Sequence, residues 1–206
     1  MPVNIGPLDL NRVKHIAIFA SGTGSNARRI MEYFQQSEDI RVVLVVSNKA
    51  DAPVLETAAS FGVETIVVQR QAFFQDNSLL DSLRNRSIDF IVLAGFLWLI
   101  PTYLVRAFSG KMINIHPALL PKFGGKGMYG MQVHRAVFAA KETQSGITIH
   151  YVDEHYDEGQ IVFQTTCDIS PNDSPDDIAR KVLALEHRHL PPVVEQLLRA
   201  QRVIGA

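Results

Sequence analysis

Asn114-Ile115-His116-Pro117 ends an apolar run, and strand alternation sends Asn114 and His116 to the same side. A carboxamide that can donate and an imidazole that titrates then share one surface. Acyl transfer needs such an arrangement, with donors already facing the carbonyl oxygen that becomes anionic. Pro117 biases His116 toward extended backbone and Pro121 stiffens Ala118 to Lys122, so the ring stands on a rigid support. Further along, Asp153, Glu154, Asp157 and Glu158 crowd one short link. A carboxylate from that link reaching His116 would raise the imidazole pKa and hold one tautomer. A plainer reading stands beside this one: a strand-end Asn and His that satisfy local backbone groups, and an acidic loop that faces water.

Ser21-Gly22-Thr23-Gly24-Ser25-Asn26 lies between an apolar strand and a helical segment, so backbone N–H groups and the positive end of a helix converge there. An anion is expected at this point. With Ala27 the stretch also satisfies G-x-G-x-x-A, but a dinucleotide site needs an acidic residue at the end of the second strand, and that strand ends in Ser47-Asn48-Lys49. A monophosphate is the better ligand; the alternative is that Gly22 and Gly24 only permit a tight turn. No G-x-x-x-x-G-K-[ST] loop occurs, so no nucleotide cofactor is expected. His187 and His189 are two apart on a helix and face different ways, and His150 lies in an alternating strand, either buried and hydrogen-bonded or supporting the reactive residues. No metal site is expected.

These residues need elements to carry them. His15 to Ala20 and Val42 to Val46 are β-branched runs flanking a segment with Ala27, Ile30, Met31 and Phe34 at helical spacing. Pro53 can open a second helix and Gly62 close it, before a strand from Glu64 to Gln69. Leu79, Leu80 and Leu83 mark a short helix, Asp89 to Leu97 a buried central strand, Pro101 the start of another helix, and Lys111 to Ile115 a further strand. A Gly-rich stretch from Phe123 to Met131 follows it. Gly146 to Val152 and Gln160 to Ile169, joined by the acidic link, predict an antiparallel pair at the sheet's edge. Ser174, Pro175, Asp176 and Asp177 open the last helix, which Pro191 and Pro192 should kink or interrupt. The fold class is therefore α/β: a Rossmann-like, mostly parallel twisted sheet with helices on both faces and an antiparallel C-terminal pair, whose ligands bind at the carboxyl ends of the strands.

The chain has 206 residues, 47% of them hydrophobic, enough for one buried core and short for two. The expected organisation is a tail over residues 1–12 and a single domain over residues 13–206. Lys plus Arg number 20 against 21 Asp plus Glu, so no cationic field exists to hold nucleic acid or an anionic membrane. Cys167 is the only cysteine, which rules out an intrachain disulfide and suits a reducing, cytoplasmic setting. No basic-then-apolar leader is visible, and the longest apolar run, Phe90 to Ile100, is too short for a bilayer, so neither export nor insertion is expected.

Five blocks in a fixed order carry a resemblance: Ser21 to Asn26; Ser47-Asn48-Lys49-Ala50-Asp51-Ala52; Leu93-Ala94-Gly95-Phe96; Asn114 to Lys122; and Gly146-Ile147-Thr148-Ile149-His150 with Asp157 to Gly159. From about His15 to Gln201 the chain resembles the phosphoribosylglycinamide formyltransferases, folate-dependent enzymes of purine biosynthesis. The resemblance implies that Gly24, Ser25 and Asn26 hold the phosphate of glycinamide ribonucleotide and that Glu186 touches the same substrate. It implies 10-formyltetrahydrofolate as co-substrate, its pterin against Leu97, Trp98, Leu99, Ile100 and Asn114 and against the loop Asp153, Glu154, His155, Tyr156 and Asp157. It also implies a cis peptide before Pro121. In the implied reaction the neutral glycine amine attacks the formyl carbon, Asn114 and protonated His116 stabilise the oxyanion, and Asp157 keeps His116 charged and helps pass a proton to the folate nitrogen. The segment Phe123 to Val133 is longer than the family's usual link, Glu158 stands where a second glycine is common, and a folate-side arginine after the third strand has no counterpart. Methionyl-tRNA formyltransferases and formyltetrahydrofolate hydrolases look similar around Asn114 and His116, but each carries an additional module for which 206 residues leave no room. A phosphate-binding protein without catalysis is the reading from a different class.

Overall fold

The structure, a computed structural model, describes residues 12–204; the expected tail lies, except for Arg12, outside the described residues. The chain runs β1 (Lys14–Phe19), α1 (Ser25–Phe34), β2 (Ile40–Ser47), α2 (Pro53–Ser60), β3 (Glu64–Val67), α3 (Arg70–Gln75), α4 (Ser78–Asn85), β4 (Ile88–Leu93), α5 (Thr102–Ala107), β5 (Met112–His116), α6 (Met131–Ala139), β6 (Gln144–Tyr151), β7 (Ile161–Asp168) and α7 (Pro175–Ile204). The strands form one seven-stranded sheet in the order β3-β2-β1-β4-β5-β6-β7. Pairing is parallel from β3 to β5, and β6 runs antiparallel to both β5 and β7. The expected Rossmann-like class is the observed one.

Alternation along β1 sorts the core into two layers. Ile16 and Ile18 pack with α1, α2, α6 and α7, whereas Ala17 and Phe19 pack with α3, α4 and α5. The chain leaves β1 toward β2 on one side and returns to β4 on the other, so a crevice opens at the carboxyl ends of β1 and β4, the point where such sheets take ligands. Among the described residues no helix is long and apolar enough to cross a membrane.

Three local expectations are corrected. β4 ends at Leu93 rather than running to Leu97, because Gly95 takes φ 79° and turns the chain out of the sheet. α3 was not foreseen: of its six residues only Phe73 is buried, too little to write a helical period. α7 is not interrupted at Pro191 and Pro192. The prolines remove two amide donors, but Leu190, Val193, Val194 and Leu198 are all buried, and packing on both sides holds the helix through the gap. Its start is as expected: Asp177 N–H donates to Ser174 Oγ at 3.2 Å while Ser174 N–H donates back to the Asp177 carboxylate at 2.9 Å.

Candidate active site

A cleft of about 930 Å³ opens at the switch point, lined by the Gly24 loop, by Trp98 and by His116. Its walls come from chain segments that the sheet brings together. Ser21 laces two of them: its N–H donates to Gly95 O at 3.1 Å and its buried Oγ accepts from Leu97 N–H at 3.0 Å. The loops after β1 and β4 thereby share one support.

Gly24 stands just before α1 with φ 73°, and no side chain caps that helix, which leaves its first turn to a ligand. Val54 N–H donates to Gly22 O at 3.2 Å, tying the loop to α2. Asn26, in the first turn, is buried and donates from Nδ2 to Glu186 Oε2 at 2.8 Å, while its own Oδ1 has no partner among the described residues. Gly24, Ser25, Asn26 and Glu186 all line the cleft.

Burial pushes the Glu186 carboxyl up to about 7, against the pull of the Asn26 hydrogen bond. A carboxyl that holds its proton better folded than unfolded contributes stability below about pH 4.5, and that contribution is lost as pH rises through about 7. Glu186→Gln is therefore expected to flatten the decline: between pH 5 and 8 the wild type should lose on the order of 2 kcal/mol more than the variant in urea unfolding. Equal slopes would mean that Glu186 is ionised in the folded state throughout.

At the other strand ends the reactive side chains meet. The β5–β6 register sets Asn114 opposite His150 and His116 opposite Thr148. Asn114 Nδ2 lies 3.2 Å from His150 Nε2 and 3.2 Å from Asp157 Oδ1, so its two amide hydrogens serve both groups. His150 Nδ1 is 2.8 Å from Tyr151 O, an atom that only accepts, which fixes the proton on Nδ1 and leaves Nε2 to accept from Asn114. His116 Nε2 likewise donates to Phe123 O at 2.8 Å, and its Nδ1 stands 3.5 Å from Asp157 Oδ2, longer than a hydrogen bond. Thr148 braces the turn behind the ring by donating to Ala118 O at 2.7 Å and accepting from Leu120 N–H at 3.0 Å. The Leu120–Pro121 peptide is cis, as the resemblance implied.

Asp157 has φ 58°, an unusual conformation that Asp tolerates better than most residues. Burial raises its pKa, but the His150 ring, His116 and the Gly125 N–H at 2.9 Å outweigh that, so the carboxyl is held below its usual range. The expected rise in the His116 pKa does not occur. Burial of the ring lowers it and outweighs the upward pull of Asp157 and of the Phe123 carbonyl, so the resting imidazole is neutral. The expected protonated resting ring is corrected accordingly.

Of the residues expected against a pterin, Leu97, Trp98, Leu99, Ile100, Asn114, His155, Tyr156 and Asp157 line the cleft. Asp153 and Glu154 do not: the Asp153 carboxylate accepts from His155 N–H at 2.8 Å, and Glu154 turns outward to Arg106 at 3.5 Å. Short polar side chains in a turn satisfy local backbone first. Three polar lining residues, His134, Lys126 and Tyr129, are not among those the sequence singles out. His134 is buried with Nδ1 unpartnered among the described residues, and its signal was faint, a single His in an apolar helical stretch. Lys126 and Tyr129 had one visible signal, the glycine-rich stretch that carries them. Among the described residues no group of three or more His, Cys, Asp or Glu side chains is placed to hold a metal ion.

A helix N-terminus and an Asn, His, Asp cluster thus face one switch-point crevice, the place where open α/β sheets bind ligands. Residues 14–194 match the family described as formyl transferase, and the chain belongs to that family. It is 44% identical over 183 residues to the chloroplastic phosphoribosylglycinamide formyltransferase of Arabidopsis thaliana, covering 86% of this chain and 63% of that one. It thus spans less than two thirds of the length of this plant relative. To the phosphoribosylglycinamide formyltransferase of Bacillus subtilis it is 35% identical over 191 residues, covering 90% of this chain and 95% of that one. The crystal structure of glycinamide ribonucleotide transformylase 1 from Geobacillus kaustophilus superposes with a TM-score of 0.82 at 33% identity, covering 91% of this chain and 100% of that one.

Proposed function

We propose that the chain transfers the formyl group of 10-formyltetrahydrofolate to the amine of N1-(5-phospho-D-ribosyl)glycinamide, in purine biosynthesis, with residues 13–206 acting as one formyltransferase domain in the cytoplasm. The observation that carries the proposal is the meeting of Asn114, His116 and Asp157 in a cleft that also reaches the Gly24 loop. The phosphate sits at Gly24, Ser25 and Asn26, Glu186 faces the ribosyl part, and the pterin lies against Leu97 to Ile100, His155 and Tyr156.

The neutral amine attacks the formyl carbon, forming a C–N bond and an oxyanion. Asn114 supplies the amide donor to that oxygen by turning one hydrogen from its resting partners. The neutral His116 ring takes up the proton released by the amine and becomes an imidazolium opposite Asp157. Collapse of the intermediate breaks the bond to the folate nitrogen, which receives the proton from His116. Formyl, proton and electron pair are all accounted for: the products are the N-formyl ribonucleotide and tetrahydrofolate. An ammonium has no lone pair to attack with, so the rate falls as the amine is protonated.

The test mixes the protein with 10-formyltetrahydrofolate, with and without glycinamide ribonucleotide, and follows folate absorbance. Turnover that requires the ribonucleotide is expected. Equal turnover without it would make the protein a hydrolase, and no turnover in either case would leave only a phosphate-binding protein.

A further inference from the structure

The proposed reaction puts a phosphomonoester beside a pterin, yet the charged lining of the cleft is mostly acidic: among the described residues Asp157 and Glu186 are its carboxylates, and Lys126 is its only Lys or Arg. No ion pair involves Lys126 among the described residues, and its side chain is exposed. A cation on the wall of an anion's cleft with no carboxylate of its own is available to a ligand.

The fold assigns Lys126 to one half of that cleft. Its loop joins β5 to α6, and the flanking Phe123 and Met128 pack against the layer that holds α1, α6 and α7, the layer of the Gly24 loop. Phe96, Trp98 and Val152, which border the expected pterin, pack in the opposite layer. The loop is also anchored to the reacting groups, because Phe123 O accepts from His116 and Gly125 N–H donates to Asp157. Gly125 at φ 93° and Gly127 at φ 91° bracket the lysine, so the chain swings out of and back into the wall around it. Gly124 passes so close to Asp157 that a Cβ there would stand 3.3 Å from the Asp157 Cβ, which sets where the loop can lie.

We infer that Lys126 is a specificity-determining residue, the exposed cation that completes the phosphate site begun by the Gly24 loop and selects a phosphorylated amine. The α1 N-terminus offers backbone donors and only a fraction of a positive charge. A phosphate dianion there is left with net charge, which an ammonium on a flexible stem neutralises. The inference rests on the proposed reaction, since it names what one of its substrates touches.

Steady-state kinetics on Lys126→Met and Lys126→Arg test it, with glycinamide ribonucleotide and its dephosphorylated riboside as acceptors. For Lys126→Met we expect KM for the ribonucleotide to rise about tenfold, kcat to stay within about threefold, and KM for the formyl donor to hold. The preference for ribonucleotide over riboside should shrink by the same factor, and Lys126→Arg should restore most of it. Calorimetric titration with inorganic phosphate gives a second reading that needs no turnover: weaker binding to Lys126→Met than to wild type is expected. An unchanged ribonucleotide KM and unchanged phosphate binding would overturn the inference, as would a rise confined to the KM of the formyl donor. Absence of formyl transfer by the wild type would overturn the proposed function instead, and the phosphate titration would still decide the role of Lys126.

Discussion

Asp157→Asn is expected to lower kcat by about a hundredfold or more while the KM for the ribonucleotide stays within a few fold. The substitution keeps the volume of the side chain and tolerates the φ of 58° at this position. What goes is the charge, together with one of the two acceptor oxygens that serve Asn114 and the Gly125 N–H. In the wild type the proton taken up by His116 creates an imidazolium that faces a carboxylate 3.5 Å away, with both side chains largely covered by protein. The buried ring already resists protonation, so without Asp157 the step that accompanies oxyanion formation becomes the costly one. His116→Ala should fall at least as far, because the ring that takes the proton from the amine and returns it to the folate nitrogen is gone. Thermal denaturation and ribonucleotide binding on both variants check that the fold and the phosphate loop survive. Turnover within tenfold of wild type in either would remove this mechanism.

Gly24→Ala is expected to cost about 3 kcal/mol of folding stability and to abolish measurable phosphate affinity. Two independent penalties meet at this residue. Its φ of 73° disfavours any side chain, and a Cβ built there would overlap the side chain of Val54, which is fully buried and fixed at the start of α2. Relief requires α2 to shift or the loop to flatten, and either pulls the first N–H groups of α1 away from a common centre. Urea unfolding measures the first effect and phosphate titration the second. A companion change, Val54→Ala, removes only the nearest overlap, because the Val54 Cβ would still stand 2.6 Å from the new Cβ and φ is unaltered; combined with Gly24→Ala it should recover little of the stability and little of the binding. Wild-type affinity in Gly24→Ala would show that the loop does not cradle the anion.

Much of this site is legible in the sequence, because it rests on short periods. Period-two alternation placed Asn114 and His116 on one side, and a glycine-bracketed turn between a strand and a helix marked Gly24 to Asn26 as an anion cradle. Long-range distance was not legible. Asp157 lies 43 residues beyond Asn114, and their approach depends on the β5–β6 register and on a left-handed turn at an Asp, neither of which leaves a local pattern. Asp153 is taken by the His155 N–H and Glu154 by Arg106, so acids that look equivalent in the chain divide by what the folded loop sets beside each. The sign of the His116 shift also escaped, since it is decided by how much of the ring is covered, a quantity fixed by the loop from Phe123 onward. β4 was overextended for a simpler reason: Phe96 and Leu97 are apolar because they pack beside the cleft, not because they continue a strand.

The residues that line the cleft do not share one kind of support: Asn114 and His116, with His150 opposite Asn114, belong to two paired strands, Asp157 to the link between β6 and β7, and Lys126 and Tyr129 to the connection between β5 and α6. Chemistry and choice of acceptor are thus carried by parts that can change separately. An inserted or deleted residue in β6 would turn His150 outward and end the reaction, but residues exchanged between Gly125 and Gly130 would redraw which amine is welcomed. A descendant of this chain with a new acceptor is reached most directly by rewriting that connection while the strand register is inherited intact.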